Sequence, residues 1–122
     1  MYKVVDGWNN AGTLAVVTPQ PASPGGVRYP DVRYSGAGRA FQGFPFVDLV
    51  WTSLERDQYN TILTQYGLSQ TVASNDVTAA VRDNNDAFSN YNATASHALD
   101  ADRGMAFWRN LTIRLELIGV PT

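Results

Sequence analysis

Residues 34–46 (YSGAGRAFQGFPF) contain three glycines, one arginine and no acid, a composition that is compatible with a phosphate-binding loop. The spacing argues against such a loop. Gly36 and Gly38 are followed by the next glycine only at Gly43, so the dinucleotide-binding pattern G-x-G-x-x-G is not met, and no Gly-Lys-Ser/Thr sequence follows. The residues after Gly43 are typical of a strand rather than of a helix. We therefore interpret the segment as a hairpin whose glycines occupy turn positions with positive φ.

Other residue types that could support catalysis or metal binding are few. His97 is the single histidine and the chain has no cysteine, so a zinc site or a histidine-based triad is not expected, and we predict a structural role for His97. The acids Asp83, Asp86, Asp100 and Asp102 could bind calcium, but they lack the spacing and the final glutamate of an EF-hand loop. We predict no catalytic residue, no cofactor and no metal site.

Two functions of other classes remain open at this point. A small hydrolase could use the carboxylates of Asp48 and Glu116, which both lie within predicted strands. A carbohydrate- or receptor-binding β-sandwich could use Trp8, Trp51 or Trp108 as a platform on which a sugar ring stacks. Because the sequence does not show that the two acids face each other, we predict that the protein is not an enzyme.

The composition limits the partners that this chain could have. It has 122 residues, a net charge of −2 and a pI near 5.1, so duplex nucleic acid is not expected as its main ligand. Only 16% of the residues are charged, against about 25% in an average domain. This value is typical either of a surface that is partly covered by partners or of one rich in Ser, Thr, Asn and Gln. No apolar run is long enough to span a bilayer, so we expect no membrane insertion.

Alternation of apolar and polar residues predicts strands at 2–6, 13–18, 46–52, 71–74, 77–83 and 105–118. Asn75 and Asp76 are predicted to form the turn between the fourth and the fifth of these. The last strand is the longest, and we expect it to be central and curved. The predicted core residues are Leu49, Trp51, Ile62, Leu63, Leu111, Ile113 and Leu115.

One amphipathic helix is predicted at about residues 53–66, with Thr52 and Glu55 as a capping box and Gly67 as the helix stop. The predicted fold is therefore a single domain, residues 1–122, that is mainly β (α+β): an antiparallel β-sandwich or barrel with one flanking helix. Two irregular segments complete the prediction, namely a Pro/Gly-rich arm or loop at about 19–26 and a long loop at about 83–104.

The order of four segments carries a resemblance to a known family. The glycine-aromatic hairpin VRYSGAGRAFQGFPF leads into a strand that ends in W-T-x-L. The helix SLERDQYNTILTQYGL follows, and the chain closes on FWRNLTIRLELIG. This pattern, over residues 28–82 and 105–118, resembles the small minor tail and distal tail (tail-tip hub) proteins of long-tailed bacteriophages. The chain departs from that pattern at Phe41, which is bulkier than expected, and at the longer insertion 83–104.

The resemblance implies a structural virion protein with a β-barrel or sandwich core. It implies assembly with itself in a ring, threefold or sixfold, at the tail tip, the hub or the end of the tube, around the channel for DNA. It further implies neighbouring tail proteins (tube, tape measure and hub) as partners, DNA only in passage, synthesis in the host cytoplasm and a final location in the tail.

Arginines interleaved with aromatic residues could bind single-stranded nucleic acid. The chain has only nine basic residues and an acidic pI, so a subunit interface, which is enriched in the same residue types, is the favoured interpretation. The predicted assembly residues are Arg28, Tyr29, Arg33, Tyr34, Arg39, Phe41, Phe88, Tyr91 and Trp108.

Overall fold

The computed structural model describes residues 1–24, 26–35, 38–97, 102–103 and 107–122. The side chains of residues 23–24, 31–35, 39–42, 102–103 and 107 lie outside this description. The strands are β1 (Lys3–Asp6), β2 (Ala15–Val16), β3 (Ser23–Pro24), β4 (Asp31–Ser35), β5 (Gly38–Gln42), β6 (Phe46–Trp51), β7 (Leu54–Glu55), β8 (Ser74–Arg82), β9 (Phe88–Ser96), β10 (Asp102–Arg103), β11 (Phe107–Arg109) and β12 (Leu111–Gly119). A short 3-10 helix (Ala11–Thr13) and the helix α1 (Arg56–Gln65) complete the secondary structure.

Seven of the strands form one antiparallel sheet in the order β2-β1-β8-β9-β12-β6-β3. A three-stranded sheet has the order β10-β11-β7, and β4 pairs with β5. The prediction of a mainly antiparallel β fold with one flanking helix is confirmed. Among the described strands the large sheet is not closed, because β2 and β3 lie at its two ends. The fold is therefore sandwich-like rather than a barrel, and β12 lies inside the sheet as expected.

The core lies on one face of the large sheet, where α1 packs. Register pairs Leu111 with Trp51, Ile113 with Leu49 and Leu115 with Val47, and all of these side chains are buried. The helix contributes its own buried residues Tyr59, Ile62 and Leu63. All seven predicted core residues are buried, which confirms that prediction. The other side of β6 and β12 carries both polar and half-buried apolar residues, and we call this side the outer face: Phe46, Asp48, Val50, Thr112, Arg114, Glu116 and Ile118.

The helix begins later than predicted. Glu55 rather than Thr52 is the N-cap residue: its side chain accepts from the N3 backbone, and the Gln58 side chain accepts from the Glu55 amide at 3.0 Å. Residues 54–55 form strand β7, so Thr52 is too far from the first turn to cap it. Gly67 has φ +70 and ends the helix as predicted.

The prediction of two strands joined at Asn75 and Asp76 is wrong. Residues 74–82 form the single strand β8, which pairs with β9 along its whole length. The side chains of Asn75 and Asp76 both form hydrogen bonds that are compatible with a position inside β8. Asn75 donates to a carboxylate oxygen of Asp6 at 2.6 Å, and the hydroxyl of Thr94 donates to Asp76 at 3.1 Å.

The prediction of a long loop at 83–104 is also wrong, because residues 88–96 form β9. The loop between β8 and β9 is short, and Asp83 stabilises it by accepting from the amides of Asn85 and Ala87 at 2.8 and 3.1 Å. The buried positions of β9 are alanines, Ala93 and Ala95, whose small side chains give a weak apolar pattern.

Two further strands are shorter than predicted. The last strand breaks at Asn110, which has φ +58, so that β11 joins the small sheet and β12 joins the large one. The strand predicted at 13–18 is reduced to Ala15–Val16, because the 3-10 turn occupies 11–13. The Pro/Gly-rich segment at 19–26, which was predicted as an arm or loop, includes β3, and β3 pairs with β6 of the same chain. The Trp51 indole donates to the Pro19 carbonyl at 2.8 Å. Where it is described, this segment therefore lies on its own domain.

Candidate assembly interface

The hairpin formed by β4 and β5, called the arm below, is a two-stranded sheet of its own. Its register runs from Asp31 opposite Gln42 to Ser35 opposite Gly38. Each of its strands pairs with the other, and neither pairs with a further described strand. The predicted hairpin is thus confirmed. A two-stranded hairpin is marginally stable by itself in water, so an arm of this kind depends on its root or on a second surface.

The root of the arm is fixed to the large sheet. Arg28 and Phe46 exchange two backbone hydrogen bonds of 2.9 and 2.7 Å immediately outside the hairpin. The amide of Leu117 also donates to the Pro45 carbonyl at 2.8 Å. These bonds attach both ends of the arm to β6 and β12.

Four side chains at this root form what we call the root cluster: Arg28, Phe46, Asp48 and Arg114. Arg114 donates to both carboxylate oxygens of Asp48, at 2.8 and 3.1 Å, and Arg28 donates to one of them at 2.9 Å. The two guanidinium groups lie over the Phe46 ring, at 5.1 Å for Arg28 and 4.2 Å for Arg114. Such cation–π contacts favour a fixed position for both cations. The cluster therefore connects Arg28, which precedes the arm, to β6 and β12.

Electrostatics keep Asp48 ionised. The hydrogen bonds from Arg114 lower the pKa of Asp48 below its ordinary value, against the effect of partial burial, and the charges of both arginines act in the same direction. The same hydrogen bond raises the pKa of Arg114. Glu116 lies on the same face, two residues along β12 from Arg114. A carboxylate held in this way is a poor proton donor near neutral pH, which argues against Asp48 as the acid of a hydrolase.

The nine predicted assembly residues lie in different places. Arg33, Tyr34, Arg39 and Phe41 belong to the strands of the arm, and their side chains are outside the description. Beside the arm, Tyr29 is 42% exposed. Phe44 is 51% exposed and was missed, although the sequence Phe-Pro-Phe after a glycine is an available signal for an aromatic residue at a hairpin end.

Phe88 and Tyr91 lie on opposite sides of β9, and Tyr91 is half-buried against the core. Phe88 lines one of two neighbouring depressions and Tyr91 lines the other, and the surface around Phe88 is called the Phe88 surface below. Two open depressions of about 460 and 390 Å³ share Ala11 and Asn90 among their lining residues. Phe88 is 43% exposed and its ring packs edge-on against Tyr2, with the centroids 5.1 Å apart.

The three tryptophans differ in how exposed their rings are, and therefore in whether a ligand could contact them. Trp108, also a predicted assembly residue, is half-buried and stacks on Tyr59 of α1, with ring centroids 5.3 Å apart. Trp51 is fully buried and is therefore excluded as a sugar platform. Trp8 is 42% exposed, and its indole donates to the Ala93 carbonyl at 3.0 Å, which fixes the ring.

The residues considered for metal or proton chemistry have structural contacts. His97 is buried, and its Nε2 lies 2.9 Å from the Ser69 carbonyl and 3.0 Å from that of Val72. Two carbonyl acceptors require the proton on Nε2, so His97 holds the loop after α1 against the end of β9. Within the described ranges, no three potential ligands come together at a metal-binding distance. Asp100 and the side chain of Asp102 lie outside the description.

Comparison with protein-family models gives no match, and comparison with curated proteins and with solved structures gives no significant match. In the part of the chain that the structure describes, no helix has the length and apolarity that crossing a bilayer requires.

Proposed function

We propose that this protein is a structural component of a phage or phage-like tail, and that it assembles as an oligomeric ring at the tail tip, the hub or the end of the tube. The observation that carries the proposal is the arm, a hairpin that pairs only with itself among the described strands and is anchored at its root. Its neighbours would be tail proteins, its location the virion tail, and DNA would only pass through the ring.

A hairpin that pairs with no third strand is costly to order. Each strand of the arm has five residues, and no third strand among those described pairs with them. Fixing a residue costs about 1–2 kcal/mol of backbone entropy. A second surface that covers the arm offsets this cost, and a sparsely charged chain such as this one, with 16% charged residues, supplies surfaces that tolerate burial. The sequence resemblance to tail proteins gives the assembly its biological context.

The proposal is tested on the full chain by mass photometry and electron microscopy. The wild type is expected to form particles of three or six subunits, alone or together with tail proteins expressed from the same genome. In one variant, a short Gly-Ser linker replaces residues 31–42. This variant is expected to stay monomeric, and its far-ultraviolet circular dichroism spectrum should still show the strand signal of the large sheet. A matched control replaces the loop residues 85–86 with glycines, keeps the two hydrogen bonds between Asn84 and Val27, and is expected to assemble.

The proposal would be overturned if the wild type stayed monomeric in the presence of its tail proteins and were absent from purified particles. Mass spectrometry of those particles decides the second point.

A second candidate function, a carbohydrate- or receptor-binding module, is favoured by Trp8, whose exposed ring is fixed by its hydrogen bond. It predicts that a glycan quenches tryptophan fluorescence in the monomer. Trp8→Phe should remove that quenching, whereas Trp108→Phe should not, because Trp108 packs on Tyr59. Quenching that survives Trp8→Phe would reject this candidate.

A further inference from the structure

We propose that Gln65, the last residue of α1, is an edge cap: its side-chain amide takes the place of a neighbouring strand beside β2 and so prevents another chain from pairing there. The inference goes beyond the proposed function and does not depend on it, because it concerns the single domain, whatever that domain assembles with.

Strand β2 is one end of the large sheet, and its two sides differ. On the inner side, the amide of Val17 donates to the Tyr2 carbonyl at 3.0 Å, in line with the pairing of β2 with β1. Successive residues of a strand direct their backbone groups to opposite sides, so the Val16 carbonyl and the Thr18 amide point away from β1. We call this outward side the β2 edge. Among the described strands, none pairs with it.

The Gln65 amide occupies the β2 edge. Its Nε2 donates to the Val16 carbonyl at 3.0 Å, and its Oε1 accepts from the Thr18 amide at 3.2 Å. In a parallel pair of strands, one residue likewise donates to a residue of its neighbour and accepts from the residue two positions further on. The side chain therefore makes the two hydrogen bonds that one residue of an added parallel strand would make. Only one orientation of the amide satisfies both groups, because the carbonyl needs a donor and the backbone amide needs an acceptor.

The β2 edge belongs to a segment that is prone to pair with other chains. Residues 13–18 (TLAVVT) contain no charge and no proline, and four of the six are β-branched, which is the composition of segments that add readily to other strands. Ala15 and Val16 are exposed, and β2 borders the Phe88 surface, since Leu14 lines one of its depressions. The side chains of β2 therefore do not protect its edge.

The opposite end of the large sheet is protected in another way. Strand β3 contains Pro24, which has no backbone N–H to donate. Proline and charged side chains are common means by which edge strands resist the addition of a further strand. Strand β2 has neither, and the Gln65 amide supplies the equivalent protection.

Hydrogen exchange on the full chain tests the cap. Gln65→Ala removes both hydrogen bonds, so the Thr18 amide should exchange about tenfold faster by NMR, while the Val17 amide, which donates to Tyr2, should keep its rate. Thr64→Ala changes an exposed side chain in the same turn of α1 and should leave the Thr18 rate unchanged. An unchanged Thr18 rate in Gln65→Ala would show that Gln65 caps no edge, and overturns the inference.

The growth of assemblies that bind thioflavin T tests the protection. Gln65→Ala should form them about tenfold faster than the wild type, because the open edge accepts a strand from a second copy. Adding Val16→Lys to Gln65→Ala should restore the slow growth, since lysine on an edge strand disfavours strand addition. Adding Val72→Lys instead places the same charge on an exposed position of the loop after α1 and should not restore it. This pair of variants separates protection of the edge from a general effect of stability or net charge.

Two results of this second experiment overturn the inference. If the Thr18 amide of Gln65→Ala exchanges faster but assemblies grow no faster than in the wild type, Gln65 only attaches α1 to β2. If Val16→Lys and Val72→Lys have equal effects, the assemblies do not grow from the β2 edge. Rings of folded subunits lack the stacked strands that thioflavin T binds, so either result leaves the proposed function standing.

Discussion

Arg114 donates two hydrogen bonds to Asp48, from Nε at 2.8 Å and from Nη2 at 3.1 Å, between directly opposed positions of β12 and β6. Bidentate pairing of this kind fixes the direction of both side chains as well as their distance. Asp48 in turn accepts from Arg28 at the root of the arm. The pair therefore sets the position from which the arm leaves the sheet.

Asp48→Asn should lower the free energy of unfolding at pH 7 by up to about 1 kcal/mol, because both arginine side chains are more than half exposed and solvent screens their charges. Urea unfolding measures the change. Glu116→Gln is the matched control: it removes a charge on the same face that has no ion pair among the described residues, and should change stability by less than about 0.5 kcal/mol. Equal effects of the two variants would contradict a stabilising role for Asp48.

The same pair predicts a pH dependence. The pKa of folded Asp48 lies below its ordinary value, so its contribution is complete above the unfolded value of about 3.9 and is lost as pH falls through the folded value. The difference in stability between wild type and Asp48→Asn should stay constant from pH 7 to about pH 5 and shrink below about pH 4. A difference that had already vanished at about pH 5 would show that the folded pKa is not lowered. Thermal unfolding across this range provides the measurement.

Ile113→Ala should lower the free energy of unfolding by about 2–5 kcal/mol, because the Ile113 side chain is fully buried at the centre of the sheet and its removal leaves a cavity. Ile118→Ala makes the same chemical change five positions along β12, where the side chain is only half-buried. It should cost clearly less. Similar losses for both, by denaturant unfolding, would contradict the assignment of the buried face.

Gly67→Ala should destabilise the protein by about 1–3 kcal/mol. Gly67 has φ +70, and an added Cβ would collide with the side chain of Asn75, which donates to Asp6 and to the Tyr66 carbonyl. Gly12→Ala is the control, because Gly12 has no atom within 4 Å of an added Cβ. If calorimetry gave the same melting temperature for both variants, the left-handed end of α1 would not be a requirement of the fold.

Arg39→Ala should weaken assembly and leave folding nearly unchanged, since Arg39 lies on the arm, whose strands pair with no further described strand. Arg109→Ala removes an exposed arginine from β11 and serves as the control. Sedimentation velocity measures the oligomer and circular dichroism the fold. Loss of the folded signal on Arg39→Ala would make this residue structural instead.

Much of the fold follows from local pattern, but several elements do not. The alternation in β6 and β12 identified the buried residues correctly because large aliphatic side chains occupy one side of each strand. β9 was missed because its buried positions are alanines, which carry little apolar signal. The break at Asn110 was missed because its neighbours on both sides have strand character, and only the positive φ of Asn110 separates the two sheets.

The root cluster could not be predicted from the sequence, for a different reason. Arg28, Asp48 and Arg114 are separated by 20 and 66 positions, and they meet only because register aligns β6 with β12. The arm itself was predictable, since glycines and aromatic residues between two strands indicate a hairpin. That it stands outside the large sheet was not, because sequence does not show which strands lack a third partner.

The outer edges of the arm have a consequence for the unassembled protein. Strands β4 and β5 pair with each other along one side, and neither pairs along its other side with a further described strand. Open edges of this kind promote aggregation, because any extended chain can pair with them. The arm carries three charged residues, Asp31, Arg33 and Arg39, and Pro30 precedes it. Charged residues and proline at such positions disfavour pairing with unrelated chains. The arm therefore combines backbone edges that can pair with another strand and charged side chains that disfavour pairing with unrelated chains.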